Sequence, residues 1–222
     1  KGLNMGFTKE QELYDKNQCI GLLVVNYPEP SEWDVDGFYE MADAEIAGIV
    51  SDESVYDRKA VFGETNYYKY YKKFKKTYPV ILQYESFAFK GRPFPRNNPV
   101  VEAPFLAEVV TKVLSGCHDI DKTSGDVVFY SPTEKEDFMG LRGEVIHTYP
   151  NDVAARDDDG IIMSLIAGAD DRTAGSDESR NVFYPFFGTP GQDTSELESA
   201  AKVLEKYVKT LAPAAKCEYI LL

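Results

Sequence analysis

The sequence has few cysteines and histidines, and it lacks the short motifs that mark most cofactor sites. Its 222 residues include three cysteines and two histidines. Cys19, Cys117 and Cys217 are far apart and form no CxxC pair, so neither a disulfide framework nor a zinc site is indicated. The sequence contains no GxGxxG, GxxxxGK[ST], HExxH or GxSxG motif. We therefore expect free thiols, no cofactor and no metal ion.

Positive charge and long apolar runs are also scarce. The chain has 24 Lys and Arg against 37 Asp and Glu, a net charge of −13. Because duplex binding depends on neutralising phosphates with basic side chains, this balance disfavours DNA binding. The sequence has no run of about 18 apolar residues for a membrane span and no segment resembling a signal peptide. It predicts a cytoplasmic protein in which residues 1–222 form one domain.

Apolar patterns predict strands and helices that alternate at both ends of the chain. After a polar segment up to Asn17, residues 19–25 predict a buried strand, and a helix capped by Ser31 and ending near Val50 is expected to cover it. Residues 196–211 predict a terminal helix, and residues 217–222 a last strand. Strands are also expected at residues 126–130, 142–148, 161–166 and 182–187. This order predicts an α+β fold or a mixed α/β sandwich.

Three consecutive aspartates at residues 157–159 precede Gly160 and raise the question of a cation site. Hard cations bind carboxylate oxygens, but an EF-hand loop needs acids at alternating positions and a later glutamate. That spacing is absent here. We therefore interpret the segment as an Asp-Gly turn between strands.

Residues 90–126 carry the greatest chemical variety. A helix is predicted over residues 100–114, with Val101, Phe105, Val109 and Val113 on its buried face, and it is expected to end at Ser115-Gly116. His118 follows, next to acidic residues that could tune its pKa for acid-base chemistry. The alternative is a histidine with a purely structural role.

Arg96 and Asn98 lie at the start of this predicted helix. The N–H groups and the positive dipole end of the helix favour an anion there, and arginine adds a bidentate donor. Alternatively, Arg96 forms an ion pair and Asn98 caps the helix.

A basic cluster lies in residues 67–78, where lysines alternate with aromatic residues. Lysines can bind phosphates while aromatic rings stack on bases, so the segment is a candidate RNA contact. Alternatively, the aromatic side chains belong to the core and the lysines are simply solvated. The RNA-binding candidates are Lys69, Lys72, Lys73 and Lys76, together with Lys75.

A polar loop at residues 169–181 joins two predicted strands and contains Asp171, Arg172 and Thr173. Because functional groups often lie on loops held by a rigid scaffold, it is a candidate ligand-binding segment. An ordinary solvated connection explains the same residues.

Several motifs occur in the order found in a known family. The stretch GRPFPRNNPVVE at residues 91–102, then His118-Asp119-Ile120-Asp121-Lys122 and Gly125-Asp126, resembles the B3/B4 tRNA-editing domain of the phenylalanyl-tRNA synthetase beta subunit, in particular its stand-alone homologues. Downstream, residues 159–160, 171–173, 178–181 and 188–191 extend the likeness, which is strongest over residues 65–222. The resemblance implies a three-layer mixed α/β sandwich with a ligand pocket near the central helix and the Asp171–Thr173 loop.

The resemblance also implies partners and an activity. They are tRNA or an amino-acid-like small molecule, and hydrolysis of an aminoacyl-tRNA ester. Where that family has a Thr-Asn pair and a histidine, this sequence has Pro104, Phe105 and Gly116, and a family glutamate falls near Pro185. Such changes remove partners for a ligand hydroxyl. The alternative function is a non-catalytic module that binds a small molecule or a protein. Convergence of Arg96, His118 and Arg172 on one site would favour the first function, and their dispersal the second.

Overall fold

Two β-sheets lie face to face, and helices cover the outer side of one of them, in a computed structural model that describes residues 6–222. The strands are β1 (Phe7–Lys9), β2 (Ile20–Asn26), β3 (His118–Asp119), β4 (Val127–Tyr130), β5 (Asp137–Met139), β6 (Val145–His147), β7 (Ala154–Asp157), β8 (Gly160–Ser164), β9 (Gly168–Ala169), β10 (Asn181–Phe187) and β11 (Lys216–Leu221). The helices are α1 (Gln11–Asp15), α2 (Val35–Ile49), α3 (Arg58–Phe62), α4 (Asn66–Lys73), α5 (Pro79–Ala88), α6 (Pro99–Thr111) and α7 (Thr194–Leu211).

The four-stranded sheet forms the middle layer. Its order is β11-β2-β10-β3, and all neighbours are antiparallel. The two central strands, β2 and β10, are buried along almost their whole length because other layers cover both of their faces. This burial explains why both strands are nearly unbroken apolar runs rather than alternating ones.

The five-stranded sheet forms the second β layer, in the order β1-β4-β7-β8-β9. Its aromatic side chains meet those of β10: the ring centroids of Phe7 and Phe183 are 5.1 Å apart, and those of Phe129 and Phe187 are 6.3 Å apart. With the helices on the opposite side of β10, the fold is an α+β, three-layer mixed α/β sandwich. The expected fold class is confirmed.

The helix layer differs from the expected one. Helix α7, rather than α2, lies on β2 and β10, and α2 packs against α5, α6 and α7. The cap of α2 is Asp34, whose side chain accepts a hydrogen bond from the Gly37 N–H at 3.0 Å, whereas Ser31 lies in a preceding 3-10 turn. A helix close in sequence to a strand therefore need not cover it, because a longer amphipathic helix from the other end of the chain competes for the same face.

Local predictions elsewhere have mixed outcomes. The Asp157–Gly160 turn is confirmed: Asp157 Oδ1 accepts hydrogen bonds from the N–H groups of Asp159 and Gly160, and Gly160 has a φ of 137°. The polar segment up to Asn17, for which no element was predicted, contains β1 and α1. Its residues 1–5, like that end of the expected 1–222 domain, lie outside the described part of the chain. Strand β6 pairs with β5, which the sequence pattern did not reveal.

Helix α6 ends earlier than predicted, and of the four residues expected on its buried face, Val109 and Val113 are buried whereas Val101 and Phe105 are not. Lys112 adopts a left-handed conformation with φ 62° and ends the helix after Thr111. Neighbours surround α6 on several sides, and its most buried positions are Val100, Ala103, Leu106, Ala107 and Val109. Val101 and Phe105, expected in the core, are only partly buried because they face a cavity.

A proline inside α6 creates a hydrogen-bond need that β10 meets. Pro104 has no N–H, so the carbonyl of Val100, four residues earlier, loses its usual helical partner. The hydroxyl of Tyr184 donates to this carbonyl at 2.8 Å, and its oxygen lies 2.6 Å from the hydroxyl of Tyr27. All of these groups are buried. Tyr184 therefore ties the helix layer to the centre of the sheet.

We expect Tyr184→Phe to lower the free energy of unfolding by about 1–3 kcal/mol, because it leaves a buried carbonyl without a partner. In a Pro104→Ala background, the new N–H can satisfy the same carbonyl, so the same change should cost about 1 kcal/mol less. Urea unfolding of the four proteins in this cycle measures the coupling. Tyr184→Phe removes the contact with the Tyr27 hydroxyl in both backgrounds, so the free energy of that contact cancels in the difference between the two costs. Equal costs in the two backgrounds would contradict this account of the Tyr184 hydrogen bond.

Candidate functional site

Two neighbouring cavities flank the segment that follows α6. The first, here called the helix-side cavity, has a volume of about 300 Å³ and lies against α6. The second, here called the histidine cavity, has a volume of about 200 Å³ and contains His118. Ser115, Gly116 and Ala169 line both. The helix-side cavity is otherwise lined by Val101, Pro104, Phe105, Glu108, Cys117, Leu141, Ala174 and Gly175.

The segment between the cavities runs along the edge of β10. The Gly116 N–H donates to the Pro185 carbonyl at 3.1 Å, and the Phe187 N–H donates to the Leu114 carbonyl at 3.3 Å. On its other side, the Asp119 N–H donates to the Thr173 carbonyl at 2.8 Å. Pro185 has no N–H to return to Gly116, so the strand pairing is incomplete where the two cavities meet.

One acidic side chain faces the otherwise apolar helix-side cavity. Glu108 Oε1 accepts a hydrogen bond from the Ser115 N–H at 2.9 Å, and the Ser115 hydroxyl lies 3.5 Å from the same oxygen. Burial raises the pKa of Glu108 to about 8, although the Ser115 hydrogen bonds favour the charged form. Glu108 is therefore mostly protonated at neutral pH and offers hydrogen bonding without a full charge.

Cys117 lines the same cavity, but its thiol is unreactive. Burial raises its pKa to about 12, so the thiolate that attacks electrophiles is almost absent at neutral pH. Gly175 lies directly against the sulfur, and a Cβ at that position would be 2.3 Å from Sγ. Cys117 therefore contributes to the cavity through the packing of its side chain rather than through its reactivity.

His118 belongs to a buried chain of three polar side chains. Its Nδ1 lies 2.8 Å from the Thr173 hydroxyl, which is 2.6 Å from Asp170 Oδ1. The imidazole also stacks on Phe183, with ring centroids 5.2 Å apart and planes 17° apart. Burial lowers the pKa of His118 to about 3, so the ring is neutral at ordinary pH. Acid-base chemistry near neutral pH does not suit such a group.

Of the three loop candidates, Thr173 alone contacts this site. Arg172 makes a bidentate ion pair with Asp157, at 2.8 and 2.6 Å, and lines neither cavity. Asp171 is exposed. Hydrogen bonds from the hydroxyl and N–H of Thr173 to Asp170 turn the loop so that Thr173 points inward.

The start of α6 is occupied by groups of the chain itself. The carboxylate of Glu102 accepts hydrogen bonds from the N–H groups of Asn97 and Asn98, at 2.9 and 3.0 Å. Asn98 caps the helix through the Val100 N–H, and Arg96 forms an exposed ion pair with Asp43. These contacts are the ones expected for structural roles, and the Glu102 carboxylate fills the position where an external anion was expected.

In the candidate RNA contact, the lysine side chains are exposed and two of the aromatic side chains are buried. The side chains of Lys69, Lys72, Lys73, Lys75 and Lys76 are exposed. Tyr70 and Tyr71 are core residues whose hydroxyls donate to Asp152 at 2.5 Å and to the Leu165 carbonyl at 2.8 Å. The expectation that these two rings stack on bases is wrong, because their faces are covered by the protein.

Three contributors to the site were missed in the sequence, for different reasons. Glu108 lies three residues after Phe105, so helical spacing alone could have placed it on the same face. Asp170 is next to a candidate residue, but only its distance from Thr173 reveals its role. Leu141 reaches the helix-side cavity from the β5–β6 hairpin, and no local pattern indicates that contact.

Comparisons with known proteins identify the fold only. No family model and no curated protein matches the sequence. A solved N-terminal fragment of the phenylalanyl-tRNA synthetase beta subunit from Pyrococcus horikoshii is similar in structure, with a TM-score of 0.50 and 11% sequence identity. The match covers 100% of this chain and 55% of that fragment, so the chain spans about half of its length. In residues 6–222, no helix has the length and apolar character that crossing a membrane requires.

The positions at which the sequence departs from the editing family lie together. Pro104, Phe105 and Gly116 line the helix-side cavity, and a Cβ built on Gly116 would lie 3.4 Å from Pro185 Cγ. A cavity therefore lies near the central helix, where the sequence resemblance led us to expect a pocket, and its lining at these three positions has no polar side chain.

We expect Glu108→Gln to stabilise the protein at high pH but not at low pH. The folded-state pKa of Glu108, about 8, lies above the ordinary value of 4.5, so the wild type loses stability relative to the variant as pH rises from about 4.5 to about 8. Above that range, the difference should level off on the order of 2–4 kcal/mol.

Urea unfolding of both proteins between pH 4 and pH 9 measures this difference. Glu134→Gln, at an exposed position, is the matched control and should follow the wild type at every pH. A Glu108→Gln curve parallel to the wild type would show that Glu108 is ionised in the folded protein.

Proposed function

We propose that this chain binds aminoacyl-tRNA and holds the aminoacyl group in the helix-side cavity. One observation carries the proposal: Pro104, Phe105 and Gly116, the positions that the sequence resemblance assigns to editing residues, line one cavity in a fold similar to a phenylalanyl-tRNA synthetase beta fragment. The cavity of about 300 Å³ is at the lower end of the range for small-molecule sites.

The walls of the cavity indicate the kind of group it holds. Val101, Phe105 and Leu141 present apolar surface, and the protonated Glu108 supplies one polar contact without a charge. An apolar side chain with a nearby hydrogen-bonding group matches this lining. A strongly anionic ligand does not match this lining, because placing a second acidic group next to the buried Glu108 would cost free energy.

The side chains described at the two cavities favour binding over catalysis. The Cys117 thiol is protonated and His118 is neutral, with one ring nitrogen committed to Thr173. An ester in the cavity would have to be cleaved by positioned water and backbone N–H donors.

The lysines of α4 supply the charge that an RNA partner needs. Tyr71, on α4, lines the histidine cavity, and Lys72 and Lys73 are exposed on the same helix. Among the ion pairs seen in the described part of the chain, none involves Lys72 or Lys73. Although the chain has a net charge of −13, exposed lysines without an acidic partner on one helix can neutralise phosphates locally.

A non-catalytic module for a small molecule or a protein partner is the second candidate. The observation that favours it is the dispersal of the polar candidates: Arg96 pairs with Asp43, Arg172 pairs with Asp157, and His118 lies in the histidine cavity. The two functions share the cavity and differ in the need for tRNA.

Filter binding with charged and uncharged tRNA tests the proposal. We expect the wild type to bind phenylalanyl-tRNA about tenfold more tightly than uncharged tRNA, a difference of about 1.4 kcal/mol. Val101→Trp should remove this preference by filling the helix-side cavity, whereas Leu82→Trp, at an exposed position of α5, should retain it.

The same samples report hydrolysis. The side chains of Pro104 and Phe105 cannot form a hydrogen bond with a tyrosine hydroxyl. We therefore expect that phenylalanine tRNA mischarged with tyrosine is not deacylated faster in the presence of the protein than in buffer alone. A wild type that does not distinguish charged from uncharged tRNA would contradict the proposal, and retained binding of a small amino acid analogue would then support the second candidate.

We expect replacement of the α4 cluster by glutamate to abolish salt-sensitive tRNA binding, because these lysines would otherwise neutralise phosphates. The variant changes Lys72, Lys73, Lys75 and Lys76. A matched control changes four exposed lysines elsewhere and should bind within a few-fold of the wild type, namely Lys90, Lys135, Lys202 and Lys216. Fluorescence anisotropy over a salt series measures both. Equal losses in the two variants would indicate an effect of net charge alone and place the contact elsewhere.

A further inference from the structure

The histidine cavity contains a buried polar atom without a partner. Nε2 of His118 has no hydrogen-bond partner within residues 6–222, and His118 is 1% exposed. Buried polar atoms in folded proteins are almost always hydrogen-bonded, so such an exception points to a partner that the chain itself does not supply.

The neighbours of His118 determine what kind of partner this is. Thr173 donates its hydroxyl proton to Asp170, so the same hydroxyl oxygen accepts the proton of His118 Nδ1. Nε2 then carries a lone pair and accepts hydrogen bonds. Stacking on Phe183 keeps the imidazole in this orientation. The missing partner is therefore a hydrogen-bond donor.

A glycine lies close to Nε2 in the wall of the histidine cavity. A Cβ built on Gly116 would lie 3.9 Å from Nε2, and Gly116 lines the histidine cavity. The cavity of about 200 Å³ is larger than the apolar cavity of about 150 Å³ that is known to admit benzene. Leu114, Met163 and Phe187 supply apolar walls.

The cavity lining also indicates the charge of its occupant. Among the described residues that line it, none is Asp, Glu, Lys or Arg. The low pKa of His118, about 3, keeps the imidazole in the wall uncharged, and burial raises the pKa of the Tyr71 hydroxyl, so that group is uncharged as well. A charged group would lose its hydration there without gaining an opposite charge.

We propose that the histidine cavity binds a compact, uncharged group of about ring size that carries one N–H or O–H donor, and that Nε2 of His118 accepts its hydrogen bond. This inference rests on the proposed function, because the two cavities meet at Ser115 and Gly116 beside the aminoacyl site. It goes further by naming the chemistry that the second cavity selects. Thr173 and Asp170 act as positioning residues for the imidazole.

Pyrrole and furan are a matched pair of probes. They have the same ring size, but only pyrrole carries a donor. Titration of the tRNA-free protein, followed by ¹⁵N NMR of the imidazoles, should show about tenfold tighter binding of pyrrole, the effect of one buried hydrogen bond. The Nε2 resonance of His118 should move with pyrrole and not with furan. His147, the other histidine, has its Nδ1 2.8 Å from the Thr148 carbonyl and serves as the internal control.

Two variants separate recognition by His118 from simple filling of space. His118→Phe should bind furan as before and lose the preference for pyrrole. Gly116→Ala should weaken both probes several-fold, because its Cβ enters the cavity. The substitution is sterically tolerated, since the nearest atoms to that Cβ are 3.4 Å or more away and Gly116 does not adopt a positive φ. Thermal melting confirms that each variant is folded.

Equal affinity of the wild type for pyrrole and furan would overturn the inference, as expected if an internal water already occupied Nε2. A shift of His147 in place of His118 would also overturn it. If pyrrole and furan bind equally but the protein still prefers charged over uncharged tRNA, only this inference fails and the proposed function holds. If the protein binds pyrrole selectively but does not bind tRNA, the inference about the histidine cavity holds, and its natural ligand is not part of an aminoacyl-tRNA.

Discussion

The hydrogen bond from the Tyr184 hydroxyl to the Val100 carbonyl joins the two parts of the molecule that form the site. Pro104 makes the bond necessary, because it leaves that carbonyl without a helical partner. The bond fixes α6 against the centre of β10. The edge of β10 in turn holds the segment of Ser115, Gly116 and Cys117, which lines the helix-side cavity together with α6. Pro104 also lines that cavity. Pro104 thus removes one hydrogen bond inside α6 and leaves free the carbonyl through which Tyr184 holds the helix against β10.

Strand β10 extends this constraint into the second cavity. Its side chains alternate between two buried faces: Tyr184 meets the helices, while Phe183 meets Phe7 of the second sheet and the imidazole of His118. Pro185, the next residue after Tyr184, lacks the N–H that would complete the pairing with Gly116. The interrupted edge of β10 therefore coincides with Gly116, where the two cavities meet.

The sequence predicted the parts of this arrangement that depend on local patterns. The apolar run of β2, the amphipathic α7 and the Asp157–Gly160 turn follow from residue spacing alone, as does the presence of a helix after Asn98. The buried face of α6 did not follow, because a stripe of Val101, Phe105 and Val109 is apolar whether it faces a core or a cavity. The partners of Arg96 and Arg172 did not follow either. Asp43 and Asp157 are chosen by tertiary structure, and many acids in this chain were equally available by sequence.

The distribution of charge differs between two regions of the molecule, the cavities and the surface of α4. At the cavities, burial raises the pKa values of Glu108 and Cys117 and lowers that of His118, so each is mainly uncharged at neutral pH. Discrimination there has to come from shape and from the direction of hydrogen bonds. The lysines of α4 are exposed to water, where charges act on one another over about a Debye length, 8 Å at physiological salt. The ligand proposed above has an anionic backbone at one end and an apolar side chain at the other, which would match both regions. The two charges of a free amino acid would instead lose their hydration in the uncharged cavities.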